Sequence, residues 1–179
     1  MVKRILILAA AAALLAAVLG TSFGPGKSPP LSLSLRSFVR VDPPKPLADG
    51  SEKPLSGRIV RPTVVVFWAT WCEPCLREIP TLGRFRTMAD AAGIDVLTVS
   101  LDRSGIDIPR RFLIEQGLGD LPLVLDAGGV VSMALGIRGV PTTLIVNAKG
   151  EEVARTEGEA DWGDRAALDI VLGLVATGG

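Results

Sequence analysis

The feature that most constrains this chain is a buried-strand pattern that runs directly into a pair of cysteines. Residues 63–68 (TVVVFW) are all β-branched or aromatic, a composition typical of a strand buried on both faces. Apolar residues then recur at helical spacing over residues 73–92. Cys72 and Cys75 are therefore predicted to lie where a buried strand passes into the first turn of a helix.

From residue 94 onward the chain alternates strand-like and helix-like patterns. A turn-like stretch at 147–150 separates two strand-like runs and predicts a hairpin, and Asp161 is the predicted N-cap of the last helix. This order predicts an α/β fold with a central mixed β-sheet flanked by helices, whose reactive site lies beyond the carboxyl ends of strands. The predicted strands are 94–101, 121–125, 142–146 and 152–156, and the predicted helices are 108–116, 130–135 and 161–175.

The absence of histidine from the 179 residues excludes several classes of function. Such a chain has no Ser-His-Asp or Cys-His nucleophile pair, no His-ligated zinc or copper, and no CxxCH haem site. Nineteen basic and nineteen acidic residues cancel to a net charge of zero, which gives no indication of a nucleic-acid-binding surface. The two cysteines are left as the reactive groups.

The first twenty residues have the composition of a membrane-targeting segment. Lys3 and Arg4 precede an uncharged apolar run at 5–20, so residues 1–20 are interpreted as a signal anchor or a signal peptide. The positive-inside rule then predicts that the remainder of the chain is exported.

Residues 21–57 are rich in proline, glycine and serine and are predicted to form an extended tether. Within them, the stretch 31–41 alternates loosely between apolar and polar residues and is a candidate to pack on the edge of the domain. The globular domain is assigned to residues 58–179.

The position of the cysteines favours thiol-disulfide exchange. At a helix N-terminus, the dipole and free N–H groups are expected to lower the pKa of Cys72, and Cys75 lies one turn deeper on the same face. Cys72 can then attack a partner disulfide and Cys75 can resolve the mixed disulfide. Pro74 fits an early helical position. Glu73 places a negative charge between the cysteines, which is expected to raise the thiolate pKa and make the pair a better reductant.

Three other interpretations of the pair come from the residues alone. The cysteines could form a permanent disulfide, although so short a loop would remove little chain entropy. They could be half of a zinc site, although no further cysteine or histidine completes one. Two thiolates could also bind copper(I), since soft ligands suit that ion.

Three segments together resemble the TlpA/ResA branch of thioredoxin-like proteins. They are residues 67–80 (FWATWCEPCLREIP), 136–143 (GIRGVPTT) and 158–162 (GEADW). The resemblance implies a thioredoxin-like fold and thiol-disulfide reductase activity outside the bacterial inner membrane. Members of that branch serve cytochrome c maturation or the assembly of copper sites in respiratory oxidases. The redox-active disulfide Cys72–Cys75 would be the reactive group, with no bound cofactor and no metal.

The resemblance also implies roles for residues near the cysteines. Pro141 is expected to follow a cis peptide bond, which would bring the Val140 backbone beside Cys72 and allow it to pair with an extended substrate segment. Trp71 is expected to shield Cys72 and offer a flat apolar contact to partners, rather than to pack in the core.

Glu78 lies three residues after Cys75 and so shares its helix face. The matching position in ResA-like proteins is an acid near the active site, so Glu78 is expected to be a partly buried carboxylate that moves the proton of Cys75. The alternative is a solvated helix charge paired with Arg77 or with a neighbouring residue.

Four further side chains are assigned structural roles. Trp68 and Trp162 are expected to pack in the core, and Asp102 and Arg103 are expected to lie in a solvated loop. One departure from the family pattern is that its usual N-terminal hairpin is not clearly recognisable before Arg58.

The expected function is that of a periplasm-facing disulfide reductase tethered to the inner membrane. Its partners would be client disulfides, in apocytochrome c or copper-site proteins, and a membrane thiol transporter of the CcdA/DsbD type as electron donor. The alternatives are a disulfide oxidase or isomerase, and a copper(I)-binding chaperone that uses the same two thiolates.

Overall fold

A central sheet organises the part of the chain that this computed structural model describes, residues 30–40 and 55–177. Within those residues six strands form the sheet in the order β1-β6-β5-β2-β3-β4. The strands are Ser34–Arg40 (β1), Thr63–Trp68 (β2), Asp95–Ser100 (β3), Leu123–Leu125 (β4), Thr142–Val146 (β5) and Glu151–Glu157 (β6). The helices are Glu73–Ala91 (α1), Asp107–Glu115 (α2), Val130–Ala134 (α3) and Arg165–Thr177 (α4), and a 3-10 turn spans Ser56–Arg58.

The sheet is mixed, as predicted. β2, β3 and β4 run parallel, whereas β5 is antiparallel to β2 and forms the expected hairpin with β6. The carboxyl end of β2 therefore lies between β3 and the start of β5. Any residue that follows β2 is brought next to the segment that leads into β5.

Alternate residues of β2 pack into two apolar clusters, one on each face of the sheet. Val64, Val66 and Trp68 belong to the cluster that contains side chains of α1, α2 and α4. Val65 and Phe67 belong to the second cluster, which α3 and the 3-10 turn cover. Because β2 is buried on both faces, its strongly apolar sequence carries no alternation, and its end is a rigid base for the cysteine pair.

The folded domain begins earlier than the predicted boundary at residue 58. β1 lies inside the range 21–57 that was assigned to a tether, and it pairs antiparallel with β6 at the edge of the sheet. Leu55 of the same range is fully buried in the second cluster. Main-chain hydrogen bonds to an open strand edge need little side-chain pattern, which explains why the loosely alternating stretch 31–41 gave so weak a signal.

The interpretation of residues 1–20 as a leader falls outside the described residues. Among the residues that are described, no helix combines the length and apolar character needed to cross a bilayer.

The last helix begins later than predicted. Asp161 is not its N-cap, because α4 starts at Arg165 and the Asp164 carboxylate accepts a hydrogen bond from the Ala167 N–H at 3.0 Å. Asp161 instead accepts from the Gly163 N–H, 2.8 Å away, in the preceding turn. Both aspartates satisfy N–H groups, so composition alone does not distinguish which of them caps the helix.

An aromatic pair joins α1 to the segment before α4. The rings of Phe85 and Trp162 are both fully buried and meet edge to face, with their centroids 5.3 Å apart.

Replacing Phe85 with alanine leaves a cavity beneath Trp162, and we expect the free energy of unfolding to fall by about 3–5 kcal/mol in urea titrations.

The matched control for this prediction is Ile114→Ala on α2, where the side chain is 59% exposed. We expect that change to stay within about 0.5 kcal/mol. Equal losses for the two variants would contradict the assignment of Phe85 to a packed core.

Candidate active site

The two cysteines form a disulfide at the start of α1. Cys72 is the N-cap of the helix, and its Sγ accepts a hydrogen bond from the Cys75 N–H at 3.3 Å. Cys75 is fully buried, whereas Cys72 keeps 6% of its surface exposed. A partner can therefore reach only Cys72, which is the arrangement that an attacking thiolate and a protected resolving thiol require.

The segment before β5 lies directly against Cys72. The Val140–Pro141 peptide bond is cis, as the resemblance implied. The Val140 carbonyl oxygen lies 3.4 Å from Cys72 Sγ, within reach of a hydrogen bond from the thiol once the disulfide is reduced. Thr142 secures the segment from the other side, because its hydroxyl donates to the Gly139 carbonyl at 2.7 Å. The predicted closeness of the Val140 backbone to the cysteine pair is confirmed.

Trp71 is 67% exposed and does not pack in the core. It lines a cleft together with Val140, whose carbonyl lies against Cys72 Sγ. Trp68, by contrast, is fully buried and packs against Phe112, as expected for a core residue.

Glu73 and Pro74 occupy the first two positions of α1. The Glu73 side chain is 87% exposed, and its carboxylate pairs with the Arg77 guanidinium at 3.0 Å. Arg77 also pairs with Glu159 at 2.7 Å. Solvent and Arg77 both reduce the field of Glu73 at the cysteines, so its predicted tuning effect is modest.

Glu78 is buried on the inner side of α1, with 1% of its surface exposed. Its Oε1 accepts a hydrogen bond from Trp162 Nε1 at 2.7 Å. The alternative of an exposed pair with Arg77 is wrong, because Arg77 pairs with Glu73 and Glu159.

Burial gives the Glu78 carboxyl an unusual proton affinity. Loss of water raises its pKa from 4.5 to about 7, although the hydrogen bonds from Trp162 and the Ala160 backbone oppose the rise. Among the described residues, Oε2 and the Thr143 hydroxyl make no hydrogen bond of normal geometry, although the Thr143 hydroxyl is close enough to the carboxyl to oppose the rise in its pKa. The carboxyl can therefore gain and lose a proton near neutral pH beside the buried end of the cysteine pair.

The sequence did not predict how two residues, Trp162 and Asp102, contribute to the site. Trp162 packs in the core as expected, but it also holds the Glu78 carboxyl. Asp102 is buried rather than solvated, and it accepts hydrogen bonds from the Thr70 N–H and hydroxyl and from the Ser100 hydroxyl. It thereby fixes the loop that leads to the cysteines. The Trp162–Glu78 and Thr70–Asp102 contacts join residues more than thirty positions apart, and no local pattern indicates them.

The site can be compared with known proteins. Residues 34–172 match the Redoxin family model. Over 87 residues the chain is 36% identical to the thiol-disulfide oxidoreductase ResA of Halalkalibacterium halodurans, covering 49% of this chain and 48% of that protein. It is 32% identical over 87 residues to ResA of Bacillus subtilis, with the same two shares. The chain thus spans about half the length of the curated relatives it matches.

Two solved structures support the fold. A putative thiol:disulfide interchange protein DsbE from Chlorobium tepidum superposes with a TM-score of 0.66 at 21% identity, covering 79% of this chain and 99% of that one. StoA from Bacillus subtilis gives a TM-score of 0.57 at 22% identity, covering 79% and 96%. The fold is thioredoxin-like, and the predicted resemblance to ResA is confirmed. Because the Redoxin family model matches well over half of this chain, the chain belongs to the Redoxin family.

Proposed function

We propose that this chain is a thiol-disulfide oxidoreductase that reduces disulfides in client proteins. The observation that supports it most directly is the asymmetry of the cysteine pair. Cys72 caps α1 beside the Val140 carbonyl and keeps 6% of its surface exposed, whereas Cys75 is fully buried one turn deeper. A permanent structural disulfide would need neither a cysteine that keeps some access to solvent nor a neighbouring backbone segment placed to receive a substrate.

The exchange would proceed in two displacement steps. The Cys72 thiolate attacks one sulfur of the client disulfide, so a mixed disulfide forms, the client S–S bond breaks, and the departing client thiolate takes up a proton. The Cys75 thiolate then attacks Cys72 Sγ, which releases the second client thiol and forms the Cys72–Cys75 disulfide. Two electrons pass from the pair to the client.

Glu78 would accept the proton that Cys75 must lose before the second step. The two residues are three positions apart on α1 and both are buried, so water is a poor proton acceptor there. With a pKa of about 7, the Glu78 carboxyl is ionised in a useful fraction of molecules at neutral pH.

The direction of electron flow is proposed from the residues between the cysteines. The two residues between the cysteines are Glu73 and Pro74, and neither is a histidine. The Glu73 carboxylate disfavours the adjacent thiolate and so favours a reducing pair, although its exposure limits the effect. The names of the ResA relatives support oxidoreductase chemistry, and the reducing direction is our inference.

The cellular setting is also a proposal. The basic and apolar composition of residues 1–20 supports export and attachment to the inner membrane, which places the cysteine pair on the periplasmic side. There the clients would be disulfides of apocytochrome c or of copper-site proteins in respiratory oxidases. Electrons would come from a membrane thiol transporter of the CcdA/DsbD type.

Serine variants of the two cysteines test the order of attack. With insulin as the client disulfide, we expect Cys72→Ser to abolish reduction. Cys75→Ser should lose turnover but accumulate a mixed disulfide on Cys72, detectable by mass spectrometry.

A mixed disulfide in Cys72→Ser and none in Cys75→Ser would reverse the assigned roles. Failure of the reduced wild-type chain to cleave any protein disulfide, combined with stoichiometric retention of copper(I), would instead support a copper chaperone.

Replacing Glu78 with glutamine tests the proton-transfer role. In single-turnover experiments we expect release of the client from the mixed disulfide to slow by about 100-fold at pH 7. The wild-type rate should rise with pH around an apparent pKa of about 7, because the ionised carboxylate is the acceptor, and this rise should be absent in Glu78→Gln.

Glu115→Gln, an exposed change at the end of α2, is the control and should keep the wild-type pH profile. An unchanged profile in Glu78→Gln would show that Glu78 does not accept the proton.

The same carboxyl should make stability depend on pH. The folded state favours the protonated form of Glu78, because burial raises its pKa from 4.5 to about 7. The contribution of Glu78 to the free energy of unfolding is therefore fully present below pH 4.5 and is lost as the pH rises through about 7. Relative to Glu78→Gln, we expect the oxidised wild type to lose about 3 kcal/mol of unfolding free energy between pH 4 and pH 9. Urea titrations across that range measure the difference, and parallel curves for the two proteins would contradict a buried titrating carboxyl.

A further inference from the structure

We propose that the cleft beside the cysteine pair binds the client segment that adjoins the reacting disulfide, and that it favours segments with an acidic residue next to an apolar one. This inference rests on the proposed function and specifies the substrate class for the same site.

The cleft begins at the residues that border Cys72. It has a volume of about 560 Å³, and Trp71 and Val140 are among the residues that line it. A cavity of this size can hold a few side chains of a polypeptide. A client whose disulfide has reached Cys72 therefore lies next to two residues that border the cleft, Trp71 in the sequence and Val140 through its carbonyl.

Several of the side chains that line the cleft are apolar. Leu101, Ile137 and Val140 are partly buried within it, and Met133 adds a side chain that is 68% exposed. Together with exposed Trp71, Met133 leaves a large apolar surface in contact with water at one place. Such a surface is unfavourable unless a partner covers it, and the adaptable methionine side chain suits partners of varied shape.

The charged groups at the cleft are predominantly positive. Arg103 is exposed and forms no ion pair within the described residues. Arg138 is 83% exposed, and its contact with the exposed Glu157 is long, at 3.9 Å. The acid that lines the cleft, Asp126, is buried, and its two oxygens accept hydrogen bonds from the Val131 and Ser132 N–H groups. Two accessible cations are thus available to a carboxylate on the client.

The backbone gives the client segment a direction. Arg138 and Val140 belong to the same short segment that precedes Pro141. The Val140 carbonyl oxygen of this segment contacts Cys72 Sγ. A client strand that pairs with the Val140 backbone would run alongside Arg138, with alternate side chains facing the cleft. An acidic residue within a few positions of the client cysteine would then lie near the arginines.

The test uses three peptides that each contain one internal disulfide and a leucine. They differ only in the residue next to the leucine, which is Glu, Gln or Lys. The measured quantity is the rate of attack by reduced full-length chain, divided by the rate with dithiothreitol to remove differences in intrinsic reactivity. For the wild type in about 20 mM salt, we expect the Glu peptide to react about 5-fold faster than the Gln peptide, and the Lys peptide to react more slowly. In about 500 mM salt the preference should shrink.

The double change Arg103→Gln with Arg138→Gln should bring the Glu-to-Gln rate ratio close to one. Arg86→Gln is the control for loss of a positive charge, because Arg86 lies fourteen residues along α1 from Cys72, about 20 Å away along the helix. That variant should keep the wild-type ratio.

The measurements distinguish failure of the cleft proposal from failure of the reductase proposal. If the wild type cleaves all three peptides and the uncharged hydroxyethyl disulfide with no charge preference, the cleft proposal is wrong and the reductase proposal stands. A preference that persists in the Arg103/Arg138 double variant would also overturn the cleft proposal. If the wild type cleaves none of these disulfides, the proposed function itself fails.

Discussion

The junction between β2 and α1 determines where chemistry can occur in this chain. β2 is buried on both faces and ends beside the segment that leads into β5, and α1 begins five residues after the end of β2, with Cys72 as its cap. The Cys75 N–H donates to Cys72 Sγ, so the helix terminus stabilises charge on the sulfur that faces the client. Asp102 holds the intervening loop through Thr70, and Val140 closes the other side. The loop before Cys72 and the carbonyl beside its sulfur are therefore held by residues at the ends of β3 and β5.

A second chain of contacts links the helix packing to the proposed proton transfer. Phe85 packs against Trp162, and Trp162 Nε1 holds the Glu78 carboxyl inside the domain. The same burial that raises the pKa of Glu78 to about 7 excludes water from the buried side of the cysteine pair. Burial of a carboxyl near neutral pH weakens the fold, and a domain that only needed a stable core would contain an apolar side chain at this position. The carboxyl is better explained by a role in exchange.

Local patterns in the sequence predicted most of the fold, and long-range contacts account for what was missed. The apolar run before Cys72 and the periodicity after it predicted β2, α1 and the position of the cysteine pair, because all of those signals are local. β1 was assigned to a tether because an edge strand is held by main-chain pairing to β6. The burial of Asp102 depends on hydrogen bonds to Thr70, thirty-two residues away. The cis bond at Pro141 came from family resemblance, since a Val-Pro pair alone favours trans.

The central claim is that the Cys72–Cys75 pair acts as a reductant, and its reduction potential tests this most directly. The full chain would be equilibrated against defined thiol buffers, and the oxidised and reduced fractions would be quantified by alkylation and mass spectrometry. The account predicts a value well below the roughly −180 mV of a disulfide isomerase and closer to the roughly −270 mV of thioredoxin. A value near the roughly −120 mV of a strong oxidant would contradict it and would make the protein a donor of disulfides.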